Sequence, residues 1–203
     1  MSPRRSMTEE RRREILEAAG AVIAERGLCD ARISDVARRV GTSPALILYY
    51  FPSKDRLLSE TLAFWDRQFF DEVSARLAGL ESAAERLGAL IDASCPAERA
   101  TPTTRDDWLL WPAMWTRARF DADLAAERER LDARFRSTIA AVVEGGVASG
   151  EFTALDASAF AIHLSALIDG LAIQVMLGDR DVDAKLMRSL CHEFATTALG
   201  AVI

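Results

Sequence analysis

The sequence predicts an all-α protein of about nine helices. Half of its 203 residues are hydrophobic, and almost every run longer than ten residues places its apolar positions at helical spacing. Alternating β-branched segments are missing. The chain is long enough to bury a real core, as one domain or as a small domain joined to a larger one.

Residues 1–7 are predicted as a disordered arm carrying Arg4 and Arg5. Thr8 suits an N-cap, and Glu9 and Glu10 complement the positive end of the helix dipole. Ile15, Leu16, Ala19, Val22 and Ile23 make one apolar face, and Gly27 ends this first, bracing helix.

The stretch from Ile33 to Leu58 reads ISDVARRVGTSPALILYYFPSKDRLL. Ile33, Val36, Ala37 and Val40 recur at helical spacing, with Ser34, Asp35, Arg38 and Arg39 on the other side. Gly41 can take positive φ and stop that helix. Ser43 suits an N-cap and Pro44 the first helical position, so a second helix runs to about Tyr50, where Pro52 disfavours helical geometry at Phe51. Two short helices joined by a glycine turn make a helix-turn-helix, whose second helix is shaped to enter a DNA major groove. Ile47 and Phe51 are predicted core. Ser34, Thr42, Ser43, Tyr49 and Tyr50 are candidates for phosphate or base contact, and Lys54 for phosphate. Hydroxyl and lysine contacts of that kind position a protein without specifying sequence. Arg4 and Arg5 either reach phosphates or a minor groove, or form a solvated tail.

The segment VGTSPALILYYFPSKDRLL resembles the N-terminal domain of the TetR family of transcriptional repressors. Gly41, Ser43, Tyr49, Phe51, Ser53, Lys54, Asp55, Leu57 and Leu58 match that family's pattern. The resemblance implies a three-helix DNA-binding domain in which the tyrosine-rich end and Lys54 hold the DNA backbone. One departure stands out: the second helix begins Pro44-Ala45-Leu46, where relatives often carry Lys, Gly or Asn. It lacks the Arg, Asn or Gln that make bidentate base contacts worth roughly 1–3 kcal/mol of discrimination. Ala45 and Leu46 are therefore expected to touch thymine methyls, with further specificity from Ser34, Thr42 and DNA shape. Leu46 and Leu48 fit a core role equally well.

Ser53 should cap the next helix, striped by Leu57, Leu58, Thr61, Leu62, Trp65, Phe69, Val73 and Leu77. That helix is the natural lever between the two domains, expected at 1–52 and 53–203. A helix follows over Leu80 to Ala93, then a loop from Cys95-Pro96 to Pro102. Residues 107–115, DWLLWPAMW, hold three of the four tryptophans. Asp107, Trp111 and Trp115 share a helical face, and Pro112 should kink or restart the helix. Two arrangements fit: the tryptophans fill a core, or Trp65, Phe69, Trp111, Met114 and Trp115 line a cavity with Asp107 or Asp169 supplying polarity. Aromatic faces beside a carboxylate suit an organic cation.

Leu124, Leu131, Phe135, Ile139 and Val142 stripe a long charged helix ending near Gly150. Ala157 to Leu177 is long and mostly apolar, but it carries His163, Asp169 and Gln174 and lacks flanking aromatic anchors, so a buried interface helix is expected rather than a membrane span. His163 is read as a core histidine or a ligand contact. Leu186, Leu190, Phe194 and Leu199 stripe the last helix. From Trp111 to Thr197 the chain is similar to the subgroup of the same family that includes the choline-responsive betaine repressors, through WxxxW, ALIDGL and the final amphipathic helix. That resemblance implies a homodimer through the last two helices, which are too apolar to face water.

Net charge is −6, unevenly spread. Residues 1–60 hold 11 Lys and Arg against 9 Asp and Glu, a balance of +2, and the remainder 14 against 22, a balance of −8. A modest basic module on an acidic body fits DNA contact confined to one end. Cys29, Cys95 and Cys191, odd in number and widely spaced, fit reduced thiols in a cytoplasmic protein, and no apolar signal segment follows the N-terminal arginines. With two histidines, no metal-ligand cluster and no glycine-rich phosphate loop, an enzyme, a metal site and a cofactor are not expected. The expectation is a homodimeric repressor with two reading helices about 34–36 Å apart on a pseudo-palindromic double-stranded operator. A small effector, an organic cation by the aromatic-acid grouping, would release it. The alternative is a constitutive DNA-binding regulator without an effector.

Overall fold

The computed structural model describes residues 3–95, 111–112 and 114–203, excepting the side chains of 3–7, 28 and 29. The chain forms two compact units, Met1–Arg67 with Thr101–Arg128, and Gln68–Ala100 with Glu129–Ile203. The described secondary structure is helical throughout: α1 (Pro3–Asp30), α2 (Ile33–Val40), α3 (Pro44–Tyr50), α4 (Lys54–Leu77), α5 (Ala83–Ser94), α6 (114–118), α7 (Ala122–Ser149), α8 (Ala157–Leu177) and α9 (Ala184–Leu199).

In the first unit, α1 begins at Pro3, so residues 3–7 are helical where a disordered arm was expected, and Thr8 lies inside the helix rather than capping it. Proline is preorganised for the first helical position. The Arg- and Glu-rich run behind it has good helix propensity, reinforced by Arg11–Glu14 at 2.7 Å and Arg13–Glu17 at 3.4 Å. Gly27, at φ 73 and ψ 159, breaks the helical path where the glycine was expected to end it. Ile15, Leu16, Ala19, Val22 and Ile23 are buried, as are Val36, Ala37, Ile47, Phe51, Leu57, Leu58 and Leu62. Asp35, placed by periodicity on the polar side of α2, is only 7% exposed. Its carboxylate accepts the Arg32 amide at 3.3 Å and pairs with Arg38 at 3.1 Å and Arg26 at 3.5 Å. An acid three residues into a helix can satisfy a terminal amide, which a count of apolar positions does not register.

In the second unit, α5 begins at Ala83, not Leu80. Ser82 Oγ accepts the Glu85 amide at 3.0 Å, and Glu85 accepts the Ser82 amide at 3.4 Å, so the capping box sets the start. The Glu151 carboxylate reaches the same helix end, accepting the amides of Ala83 at 2.7 Å and Ala84 at 3.3 Å. Desolvation opposes its ionisation, but hydrogen bonds from Ser149 and these amides hold its carboxyl below the usual range. After α7, Gly150 takes φ 80 and the chain reverses, laying Phe152 on Gly146 with its amide bonded to Gly146 O at 3.0 Å. A Cβ at 146 would lie 2.2 Å from that ring, so only glycine fits. Asp156 caps α8 through the Ala159 amide at 3.0 Å, and Asp183 caps α9 through the Leu186 amide at 2.7 Å.

Helix α9 packs on α8 and α5. By length and composition alone α8 could cross a membrane, but Phe160, Ala161, Leu164, Ser165, Ile168, Leu171 and Ala172 are buried within its own unit. Ile162 at 54% and Leu177 at 80% remain exposed on it, with Leu186 exposed on α9.

Candidate DNA-binding face and effector residues

The turn between α2 and α3 is built by two residues. Gly41 sits in the left-handed region at φ 68 with its amide turned back to the carbonyls of Ala37 and Arg38. Ser43 Oγ accepts the Leu46 amide at 3.2 Å, with Pro44 opening α3. At the other end the Phe51 amide bonds to Ile47 O at 2.8 Å and both side chains are buried, so Ile47 and Phe51 fasten α3 by one face.

The opposite face is presented outward. Ser34, Ser43, Pro44, Ala45 and Tyr49 are exposed, Tyr49 at 79%, while Thr42, Leu46, Tyr50 and Lys54 are half-buried. Leu48 is 44% exposed, which excludes it from the core, whereas Leu46 lies partly in both settings. Tyr49 meets Tyr50 edge to face at 5.4 Å, a contact that limits the rotamers of both. Ser34 lines a polar cleft with Arg26, Asp30, Arg32, Asp35 and Arg38. Arg4 and Arg5 lie in the first turns of α1, their side chains outside the described ones.

Several of the described cations of this unit have acidic neighbours. Arg12 pairs with Glu60 and lies over the Phe51 ring at 4.7 Å, Arg39 pairs with Glu25 at 2.7 Å, and Arg56 with Glu60 at 2.8 Å. Ser53 Oγ caps α4 through the Arg56 amide at 3.0 Å, and Asp55 in its first turn accepts hydrogen bonds from Nε and Nη2 of Arg117, each at 3.0 Å. The face presents hydroxyls, small apolar groups and the half-buried Lys54.

The effector candidates divide between the units. Met114 is buried and Trp65, Trp111 and Trp115 are half-buried in the first unit; Asp107 lies outside the described residues. Trp111 and Pro112 are both helical, as are 114–118. The Trp65 indole N–H is buried and has no hydrogen-bond partner among the described residues, and its ring lies against Gly20 of α1. In the second unit His163 is exposed and Asp169 half-buried. Burial raises the Asp169 carboxyl from 3.8 to about 6, helped by Asp132 and opposed by Arg136. Phe69 meets Phe70 edge to face at 5.2 Å and Phe135 at a tilt at 6.2 Å, and the Arg134 guanidinium covers Phe70 at 3.9 Å. In the sequence Phe135 marks only the apolar stripe of α7, and Asp132 and Arg136 go unmarked because they sit in a strongly charged stretch of that helix. Their spacing of three and four, which places them on one helix face, was the available signal.

A capped helix-turn-helix with an outward hydroxyl- and tyrosine-bearing face, followed by a larger helical body, is the architecture of a DNA-binding transcriptional regulator. Residues 15–61 match the family described as bacterial regulatory proteins of the tetR family, and residues 83–200 match the C-terminal domain of BetI-type transcriptional repressors. The chain is 30% identical over 199 residues to the HTH-type transcriptional regulator BetI of Escherichia coli O17:K52:H18 (strain UMN026 / ExPEC), covering 97% of this chain and 98% of that protein. Among solved structures it resembles a transcriptional regulator from Saccharomonospora viridis in complex with choline, with 37% identity, a TM-score of 0.87 and coverage of 94% and 98%. A TetR-family regulator from Rhodococcus sp. is similar at 26% identity and a TM-score of 0.82, with coverage of 94% and 99%. The chain belongs to the TetR family, with a BetI-type C-terminal domain. It is a transcriptional repressor of that type rather than an enzyme.

Proposed function

We propose that the protein is a cytoplasmic, homodimeric repressor that binds a pseudo-palindromic operator and is released by a small organic cation. The observation that carries the DNA reading is the outward face of α3, with Tyr49 largely exposed while Ile47 and Phe51 anchor the helix. The functional division proposed is 1–52 for DNA and 53–203 for effector binding and dimerisation. Ser34, Thr42, Ser43, Pro44, Tyr49, Tyr50 and Lys54 position the helix on phosphates, Ala45 and Leu46 meet thymine methyls, and Arg4 and Arg5 extend the contact.

Dimerisation through α8 and α9 is supported by the apolar side chains left outward at Ile162, Leu177 and Leu186, since exposed apolar residues on paired helices mark interaction surfaces. For the effector, the half-buried carboxyl of Asp169 supplies charge that a bound cation would compensate. In the first unit, the Trp65 N–H is a donor for a ligand hydroxyl, and Trp111, Met114 and Trp115 are further contact candidates. The related choline complex supports a quaternary ammonium as the class.

The test is a gel-shift titration of the purified protein against duplexes from the DNA flanking its own gene, with and without choline. Binding as a dimer, released by choline and not by an alkyl carboxylate of similar size, is expected. Release by the carboxylate alone would overturn the cation assignment, and DNA binding that no small molecule alters would favour constitutive regulation.

A further inference from the structure

Cys95 and Cys191 are distant in the chain and adjacent in the second unit. Cys95 is the C-cap of α5, Cys191 lies within α9, and both are buried. The contacts around them fix the register of the two helices. Asp92, one turn before Cys95, bonds to His192 Nε2 at 3.0 Å and pairs with Arg188 at 3.3 Å. Arg188 precedes Cys191 by one turn, and His192 follows it directly. The other ring nitrogen of His192 bonds to Ile203 O at 3.0 Å. Helix α9 is thus pinned to α5 on both sides of Cys191, which brings the Cys191 thiol beside the Cys95 thiol at the end of α5.

That contact differentiates the sulfurs. Interaction with the Cys95 thiol pulls the Cys191 thiol below its ordinary range against the opposing effect of burial, and the Cys95 thiol is pushed up. Among the described residues no set of His, Cys, Asp and Glu could hold a metal ion. What this pairing can do is sulfur chemistry.

We propose that Cys95 and Cys191 are a modification site, closing to a reversible intrachain disulfide when a hydroperoxide oxidises the protein. The Cys191 thiolate attacks the terminal peroxide oxygen; the O–O bond breaks, an alkoxide leaves and takes a proton as the alcohol, and Cys191 becomes a sulfenic acid. The Cys95 sulfur then attacks the Cys191 sulfur. The S–O bond breaks as the S–S bond forms, and hydroxide departs with the Cys95 proton as water. Two thiols lose two electrons and two protons, and the peroxide is reduced to alcohol and water. Dithiol reagents reverse the bond by thiol–disulfide exchange. The product would tie the end of α5 covalently to α9.

The test uses the full chain carrying Cys29→Ser, treated with hydrogen peroxide, then unfolded, alkylated and mapped by mass spectrometry without reductant. The expected result is loss of both alkylatable thiols, a mass lower by two hydrogens, one peptide pair joining Cys95 to Cys191 within a chain, and recovery of both thiols with dithiothreitol. In Cys95→Ser, dimedone should label Cys191. Two thiols that remain alkylatable, a bond formed only between chains, or sulfinic acid as the sole product would overturn the proposal. The mass measurement on the Cys29→Ser chain replaces neither partner, so it holds whether or not Cys95→Ser folds.

Discussion

Gly20 of α1 lies directly beneath the indole of Trp65: a Cβ at position 20 would stand 2.5 Å from Nε1. The glycine thus sets how closely α4 approaches α1 at that level. Gly20→Ala is expected to force the ring aside and cost about 1–3 kcal/mol, despite the better helix propensity of alanine. Thermal unfolding followed by tryptophan fluorescence measures it; an unchanged or raised Tm would show that the ring yields freely.

Ser43 holds α3 by its hydroxyl oxygen and also faces outward. Ser43→Ala should lose the cap, about 0.5–2 kcal/mol of stability, together with DNA affinity. Ser43→Asp should keep the cap while placing a negative charge toward phosphate. Its Tm should stay near the wild type while operator binding falls further than in Ser43→Ala. Equal affinities for the two variants would remove Ser43 from the DNA face.

Tyr49 and Lys54 should separate by their salt response. Tyr49→Phe is expected to weaken operator binding by about 1 kcal/mol with an unchanged dependence on salt. Lys54→Ala should weaken binding to all duplexes alike and lower the salt slope by about 1. Gel shifts at several salt concentrations make the distinction, and a Tyr49→Phe variant with full affinity would place that hydroxyl off the DNA.

The raised Asp169 carboxyl has consequences of definite sign. The folded chain holds this proton more tightly than the unfolded one, so the stability it contributes is complete below its ordinary value of 3.8 and is lost as pH rises through about 6. Asp169→Asn has no proton to release and should gain on the wild type above that pH, by at most about 3 kcal/mol. If Asp169 holds the effector as proposed, choline binding would need the ionised carboxylate, and it should weaken as pH falls below about 6 and be lost in Asp169→Asn. Thermal shifts from pH 5 to 8, with and without choline, test both; affinity indifferent to pH would separate Asp169 from the effector.

The helix-turn-helix was legible in the sequence because its determinants are local. Gly41, Ser43, Pro44 and Pro52 each impose backbone geometry where they stand, and the buried Ile47 and Phe51 obey simple spacing. Errors fell where chemistry overrode pattern: Asp35 turned inward to cap its own helix, Ser82 started α5 later than its apolar residues suggested, and Pro3 began α1 before Thr8. Contacts between residues far apart in the chain left no periodic trace. The Asp132–Asp169 proximity and the Cys95–Cys191 pair depend on how α7 meets α8 and α5 meets α9, which spacing within one helix does not encode.

The turn after α7 gathers several helix ends at one place. Phe152 rests on Gly146, Glu151 clasps the start of α5, and the Thr153 amide holds Leu199 O at 2.9 Å beside Gly200. With α5 and α9 clasped again where Asp92 meets Arg188 and His192, the mooring makes those two helices a single pair hinged at residues 146–153. A shift within this unit is therefore expected as an angle rather than a slide, growing with distance from residues 146–153.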